Sequence, residues 1–130
     1  MIIGIKLLLS TATVCFAVGY AARRRVNRLH RRLMAVGAGV AWLAAAAIGV
    51  GMSVGELPLG PAYWLVDVLG GAGPARIAAA VQLTLASLAL VSVTVQAYLG
   101  WMRHPLHRLA ARAVIPLWLL AYVSAMFFYY

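Results

Sequence analysis

Three histidines are the side chains in this sequence with the most informative chemistry, and each lies beside basic residues at the edge of an apolar run. His30 precedes one such run, and His104 and His107 precede another. Imidazole ligates haem iron, copper and zinc, so histidines that converge from different helices would form a metal or haem site. We therefore take His30, His104 and His107 as candidate metal ligands. The alternative interpretation is that they bind water, lipid headgroups or helix ends and serve the fold alone.

The residue patterns of the common enzyme classes are missing from the sequence. There is no phosphate-binding loop, no nucleophile elbow and no His-Glu-x-x-His zinc motif. The only two acidic residues, Glu56 and Asp67, lie outside the long apolar runs, so no acidic pair is available there for ion transport. No histidine occurs between Arg31 and Arg103, which argues against an intramembrane bis-histidine haem site within this chain. We expect no catalytic activity of the chain's own.

Four apolar runs are the elements that must position the histidines, at about Ile2–Tyr20, Leu33–Val54, Ile77–Trp101 and Ala113–Tyr130. Each run is close to the roughly 20 residues that a helix needs to cross a hydrocarbon core. Hydrophobic residues make up 65% of the chain, which leaves too little polar surface for a soluble globule. The sequence predicts an all-α fold, namely an integral membrane four-helix antiparallel bundle forming one domain over residues 1–130.

Basic residues are concentrated in two of the connections between these runs. The connection around Arg23–Arg32 holds six of the eleven Lys and Arg residues, and the one around Arg103–Arg112 holds three more. The positive-inside rule places both connections in the cytoplasm and both termini outside. We expect a multi-pass protein of the bacterial cytoplasmic membrane. Its basic residues would contact anionic headgroups and partner-subunit carboxylates, with no nucleic acid as partner.

Two of the runs carry faces suited to contact with protein. The second run is dominated by Gly and Ala, which let helix backbones approach closely in a bilayer. On the third run, Gln82 and Gln96 lie on one face with small residues, and an amide in hydrocarbon seeks a hydrogen-bond partner. We interpret this face as adhesion between helices, the alternative being a polar site at a quinone or haem edge. Predicted partner or lipid contacts are Arg28, Arg31, Arg108, Arg112, Gln82, Gln96 and Trp118.

The stretch between the second and third runs has a different composition. Gly and Pro clusters bracket Ala62–Leu69, and they break a helix at both ends. Tyr63 and Trp64 lie within this piece, and both residue types favour the membrane interface. The sequence therefore predicts a short interfacial helix or a re-entrant turn there.

Two strings of the sequence resemble elements of a known family. His30-Arg31-Arg32-Leu33-Met34 resembles the His-Arg-x-x-Met element that opens a span in the CtaM/YozB-like family of small multi-span membrane proteins. The segment His107–Trp118 is similar to that family's His-x-x-x-Ala-Arg-x-x-x-Pro-Ile-Trp element, with five residue types in register. Family members also place a histidine in the span that corresponds to Ile77–Trp101, where this chain has Gln82 and no histidine.

The resemblance implies an association with haem-copper terminal oxidases. It favours a noncatalytic integral membrane subunit or assembly factor of that respiratory electron-transfer complex, bound to larger integral membrane subunits. Haem and copper are the candidate cofactors, and we expect a partner subunit rather than this chain to hold them. The alternative is a small membrane redox or metal- or haem-binding protein that uses the interfacial histidines.

Overall fold

Four long helices make up the regular structure of this protein over the residues that the computed structural model describes, which are 2–23, 27–53 and 70–128. No strand occurs in these ranges, and the predicted all-α class is confirmed for them. All four helices are long and apolar enough to cross a membrane. They are α1 (Ile2–Ala22), α2 (Asn27–Ser53), α3 (Ala72–Trp101) and α4 (His107–Phe128). The piece predicted over residues 62–69 lies outside the described residues.

Three helices begin before the apolar runs that predicted them. α2 begins at Asn27 rather than near Leu33, and α4 begins at His107 rather than near Ala113. Hydropathy marks only the apolar part of a helix, whereas Arg and Leu also favour helix in the basic part that precedes it. His30 and His107 therefore lie on the first turns of α2 and α4, and Arg28, Arg31, Arg108 and Arg112 lie within the first two turns of these helices.

The start of α3 depends on two glycines. Gly70 and Gly71 have φ angles of +72° and +142°, in the region that side chains with a Cβ rarely adopt. Pro74 follows within the first turn of α3, where its missing N–H removes no intrahelical hydrogen bond. The chain can therefore enter α3 abruptly, five residues before the predicted start.

Adjacent helices run antiparallel and form two hairpins, which we call the first hairpin (α1 and α2) and the second hairpin (α3 and α4). α1 packs most extensively against α2, and α3 against α4. Between the hairpins, Ser10 on α1 is hydrogen-bonded to Tyr122 on α4, with 3.1 Å between the hydroxyl oxygens. The shared core consists mainly of small side chains, which allow close helix approach. Its buried members are Ala12, Ala41, Ala89, Val93, Trp118 and Ala121.

Trp118 is the one large side chain in this core. Its ring packs edge-on against Phe16, with 4.9 Å between the centroids. Its indole Nε1 donates to Thr13 Oγ1 at 3.0 Å, which satisfies its polar atom inside the bundle. Phe16 in turn lies so close to α2 that a Cβ on Gly37 would stand 2.6 Å from the Phe16 ring. A side chain at position 37 would therefore displace the Phe16 ring from this packing.

The outer surface of the bundle is apolar along all four helices. Large aliphatic side chains are exposed on each helix, including Ile3, Leu43, Ile77 and Leu120. Hydroxyl groups on this surface are satisfied within their own helix: those of Thr11, Thr84, Ser87 and Thr94 each donate to the carbonyl oxygen four residues earlier. At these positions, the surface therefore has no unpaired side-chain donor that would face hydrocarbon.

Candidate functional site

The fold brings two of the three histidines together at one end of the bundle, where α1 and α3 end and α2 and α4 begin. We call this region the basic end. The imidazole rings of His30 and His107 meet there, with 6.3 Å between their centroids and 67° between their planes. The two residues belong to different hairpins, so their contact also joins the hairpins.

His30 is oriented by the end of α1. Its Nδ1 lies 2.8 Å from the carbonyl oxygen of Gly19. This carbonyl is in the last turn of α1, where no intrahelical N–H remains to bond it. A carbonyl oxygen only accepts, so the proton of neutral His30 is on Nδ1 and the lone pair is on Nε2. His30 thus closes the first hairpin and keeps one ring nitrogen available.

His107 is oriented by Gln96 and Gly100 of α3. The Gln96 amide Nε2 donates to the backbone oxygen of His107 at 2.9 Å and lies 3.0 Å from the ring Nδ1. The same Nδ1 is 3.2 Å from the backbone oxygen of Gln96. A Cβ on Gly100 would stand 2.8 Å from His107 Cε1, so a side chain at position 100 would displace the ring from this position.

Gln96 also carries an unused hydrogen-bond acceptor. The residue is only 3% exposed, and its Oε1 has no hydrogen-bond partner. A buried amide oxygen without a partner costs free energy unless a donor or a cation approaches it. The site therefore contains an acceptor that the described chain leaves unsatisfied, next to the His107 ring.

His104 does not join the pair. It lies in the turn between α3 and α4, is exposed, and its Nδ1 accepts from the backbone N–H of Leu106 at 3.2 Å. Arg103 beside it has a φ of +53°, which turns the chain away from α3. Across the described residues, no group of three or more His, Cys, Asp or Glu side chains could hold a metal ion. The predicted metal site would therefore rest on His30 and His107.

The four arginines predicted to contact lipid or partner lie near the pair in sequence, on α2 and α4, and all of them are exposed: Arg28, Arg31, Arg108 and Arg112. Both acidic residues of the sequence fall outside the described ranges, so no carboxylate neutralises these charges there. One of the four, Arg31, has an aromatic neighbour. The Arg31 guanidinium lies 5.5 Å from the Trp101 ring centroid, which places the charge over a π face. The basic end therefore attracts anions.

The other three predicted contact residues are buried within the chain. Gln82 is 7% exposed and its Nε2 approaches the backbone oxygen of Ala121 at 3.4 Å. Gln96 bonds to His107, and Trp118 bonds to Thr13. The polar face predicted on the third run therefore contacts protein, and that protein is this chain's own α4.

Two residues that sequence reasoning missed are Gly19 and Gly100. A Cβ on Gly19 would stand 3.2 Å from Leu33 Cβ and 3.3 Å from Met34 Sδ, so this glycine permits the close approach of α1 and α2. No pattern in the sequence marks these two glycines, because the side chain that packs on each of them belongs to another helix.

The basic end supplies imidazole, amide and guanidinium groups, and the described residues add no carboxylate to them. A cavity of about 470 Å³ opens at the opposite end, between α1 and α2. Its lining is almost entirely apolar: Gly4, Ile5, Leu7, Leu8, Thr11 and Ala47. No protein-family model matches this chain, and no curated protein or solved structure is significantly similar to it.

Proposed function

We propose that this protein is a noncatalytic integral membrane subunit or assembly factor of a respiratory electron-transfer complex, namely a haem-copper terminal oxidase. The observation that carries the proposal is the meeting of the two family-like strings in the fold. His30 of the first string lies against His107 of the second, with 6.3 Å between the ring centroids. Because the two strings lie next to each other in the folded chain, their resemblance to the family extends to one site and is not limited to two separate segments of sequence.

The proposal includes insertion in the bacterial cytoplasmic membrane with both termini outside. The apolar outer surface and the locally bonded hydroxyl groups support insertion, because both suit contact with hydrocarbon. The exposed arginines of the basic end support the orientation, since such residues favour the cytoplasmic side. Larger integral membrane subunits and anionic lipids would then be the groups that contact the apolar and basic surfaces of the bundle.

The orientation is tested by cysteine labelling in intact cells. In a Cys15→Ala background, the Gly71→Cys variant should react with a membrane-impermeant maleimide. The Arg28→Cys variant should react only after permeabilisation, because position 28 lies at the basic end and position 71 at the opposite end. The reverse pattern would contradict the orientation, and equal labelling of both positions in intact cells would contradict a spanning bundle.

The partner is tested by purification of the tagged full-length chain from its native membrane in mild detergent. A haem-copper oxidase with its haem absorbance bands should co-purify, and deletion of the gene should lower the amount of assembled oxidase. A constant ratio of chain to oxidase indicates a subunit, and association only with an incomplete oxidase indicates an assembly factor. Unchanged oxidase assembly after deletion, with no oxidase in the purified sample, would overturn the proposal.

A second candidate function is a small metal- or haem-binding membrane protein. The observation that favours it is the pair of imidazoles from different helices, each fixed through one ring nitrogen. The absorbance spectrum and metal content of the purified chain separate it from the first candidate, which requires neither haem nor metal in this chain.

A further inference from the structure

The buried positions of α1 recur on α3. The buried residues of α1 are Ile5, Ala12 and Gly19, and those of α3 include Gln82, Ala89 and Gln96. Position 5 corresponds to 82, 12 to 89 and 19 to 96, so 77 positions separate the members of each pair. The same interval relates Ala41 and Ala44 of α2 to Trp118 and Ala121 of α4, and all four are buried. The two hairpins therefore use equivalent helix faces.

Each hairpin also donates one tryptophan hydrogen bond to the other. Trp42 on α2 donates to Thr94 on α3, and Trp118 on α4 donates to Thr13 on α1, each at 3.0 Å. These two bonds are not related by the interval of 77 positions, so the equivalence concerns the buried helix faces and not the individual bonds. The buried faces relate the two hairpins by an approximate pseudo-twofold axis parallel to the helices.

His30 and His107 are also 77 positions apart, and they meet across this axis. Each Nδ1 faces the backbone carbonyl oxygen of the residue eleven positions earlier, at 2.8 Å for Gly19 and 3.2 Å for Gln96. The Nδ1 of His107 also lies 3.0 Å from the amide Nε2 of Gln96, so His107 offers its Nε2 as a ligand in the tautomer whose Nδ1–H donates to the Gln96 backbone oxygen. An Nδ1–H that donates to a backbone carbonyl is how proteins commonly orient a histidine that binds metal through Nε2. Both hairpins thus offer an oriented imidazole to the same axis.

The spacing of the rings suits one ion with two ligands. Two imidazoles on opposite sides of an ion, each nitrogen roughly 2 Å from it, place their ring centroids about 6 Å apart. The observed separation is 6.3 Å. Zinc and divalent iron, nickel and copper require four or more ligands in most protein sites. The described residues provide no third His, Cys, Asp or Glu at this position.

The electrostatics of the surroundings favour an ion of low charge. The exposed arginines raise the potential, and their repulsion of a monovalent ion is half of that of a divalent one. The buried, unpaired Gln96 Oε1 adds a carbonyl dipole beside His107 that a cation would stabilise.

We propose that His30 and His107 form a two-imidazole site for a single cuprous ion on the pseudo-twofold axis, and that His104 takes no part. Copper in this oxidation state is monovalent and is stable between two nitrogen ligands. The site rests on the geometry of the pair and not on the proposed partner complex. Binding requires no redox step, because the ion is supplied already reduced.

The test is a competition titration of the purified full-length chain in detergent, with cuprous ion and a chromogenic cuprous chelator under anaerobic, reducing conditions. One ion per chain should bind. His30→Ala and His107→Ala should each lower the affinity on the order of 100-fold, because each removes one of two ligands. The matched control His104→Ala should bind as the wild type does, and thermal unfolding of all three variants checks that they are folded.

X-ray absorption of the wild-type chain provides a measurement that needs no variant. It should show two nitrogen neighbours at about 2 Å from copper and no further donors in the first shell. Absence of binding by the wild type would overturn the proposal, as would loss of binding in His104→Ala or a first shell of three or more donors. Stoichiometric haem in the native chain that His30→Ala removes would also overturn it, in favour of haem ligation by the pair.

The outcomes are distinguishable from those that test the proposed function. If the chain binds cuprous ion but neither co-purifies with an oxidase nor affects its assembly, the copper site is supported and the proposed function is overturned. If the chain co-purifies with the oxidase but binds no cuprous ion, the proposed function is supported and the copper site is overturned.

Discussion

The two hairpins have equivalent helix faces but close them by different means. In the first hairpin, Gly19 and Gly37 bring α1 and α2 into close contact, mainly with carbon and sulfur atoms, and a single hydrogen bond from His30 to Gly19 is added at the basic end. In the second hairpin, the positions equivalent to Ile5 and Gly19 are Gln82 and Gln96, whose amides bond to α4. Small residues allow extensive van der Waals contact, whereas amides supply a few directed hydrogen bonds. One bundle therefore contains both solutions to helix adhesion in an apolar environment.

Because the two interfaces are built differently, each hairpin is sensitive to a different kind of substitution. A packed interface fails when volume is added, because its atoms have no room to move. A hydrogen-bonded interface fails when a polar partner is removed, because another polar atom is then left unsatisfied. The comparison is sharpened by pairs of variants in which one member of each pair serves as the control.

The largest effect is expected from the two tryptophans that bond one hairpin to the other. Trp118→Ala should lower the free energy of unfolding by about 3 kcal/mol, because it removes a buried ring that contacts Phe16. Trp42→Ala should lower it by less than about 1 kcal/mol, because Trp42 is 50% exposed. Unfolding in mixed micelles by SDS measures both values. Equal losses would show that the two bonds, and not the burial of Trp118, dominate contact between the hairpins.

The next effect concerns added volume in the first hairpin. Gly37→Ala should lower the free energy of unfolding by about 2 kcal/mol, since its Cβ would stand 2.6 Å from the Phe16 ring. Gly39→Ala is the matched control, because a Cβ at position 39 meets nothing within 4 Å. The same unfolding measurement applies to both. If the two variants were equally stable, the Phe16 ring would have moved aside freely and the first hairpin would not be limited by volume.

The smallest effect concerns the amides of the second hairpin. Gln96→Leu should cost about 1 kcal/mol, because it removes the hydrogen bond to the His107 backbone but also the unpaired Oε1. Gln82→Leu should cost less than about 0.5 kcal/mol, since its bond to Ala121 is long at 3.4 Å. A loss for Gln82→Leu that exceeds that for Gln96→Leu would reverse the assignment of the main hydrogen bond in this hairpin.

Much of the fold could be predicted because apolar length and helical spacing are local properties of the sequence. The four runs predicted four helices, and the spacing of Gln82, Ala89 and Gln96 predicted the face of the third helix that contacts protein. The start of α2 at Asn27 could not be predicted from hydropathy, because that helix continues through polar residues. Helix ends depend on propensity and capping, which apolar runs do not report.

The candidate site was only partly predictable. Placement of both basic connections at one end indicated that His30 and His107 could meet, and the structure brings them into contact. His104 precedes His107 by only three residues in the sequence, but the turn at Arg103 directs it elsewhere. The roles of Gly19 and Gly100 depend on which side chains arrive from another helix, which only tertiary structure defines.

The hydrogen bonds of the histidines have a consequence for the order in which the protein is assembled. His30 bonds a residue eleven positions away, and so does His107, whereas the two tryptophan bonds span 52 and 105 positions. Short loops close with a smaller entropy loss, so each hairpin can close by itself before the hairpins associate. The first can do so while α3 is still being synthesised. Contact between the two imidazoles then arises only at the final association step, so a spectroscopic signal from that pair would report completion of the bundle.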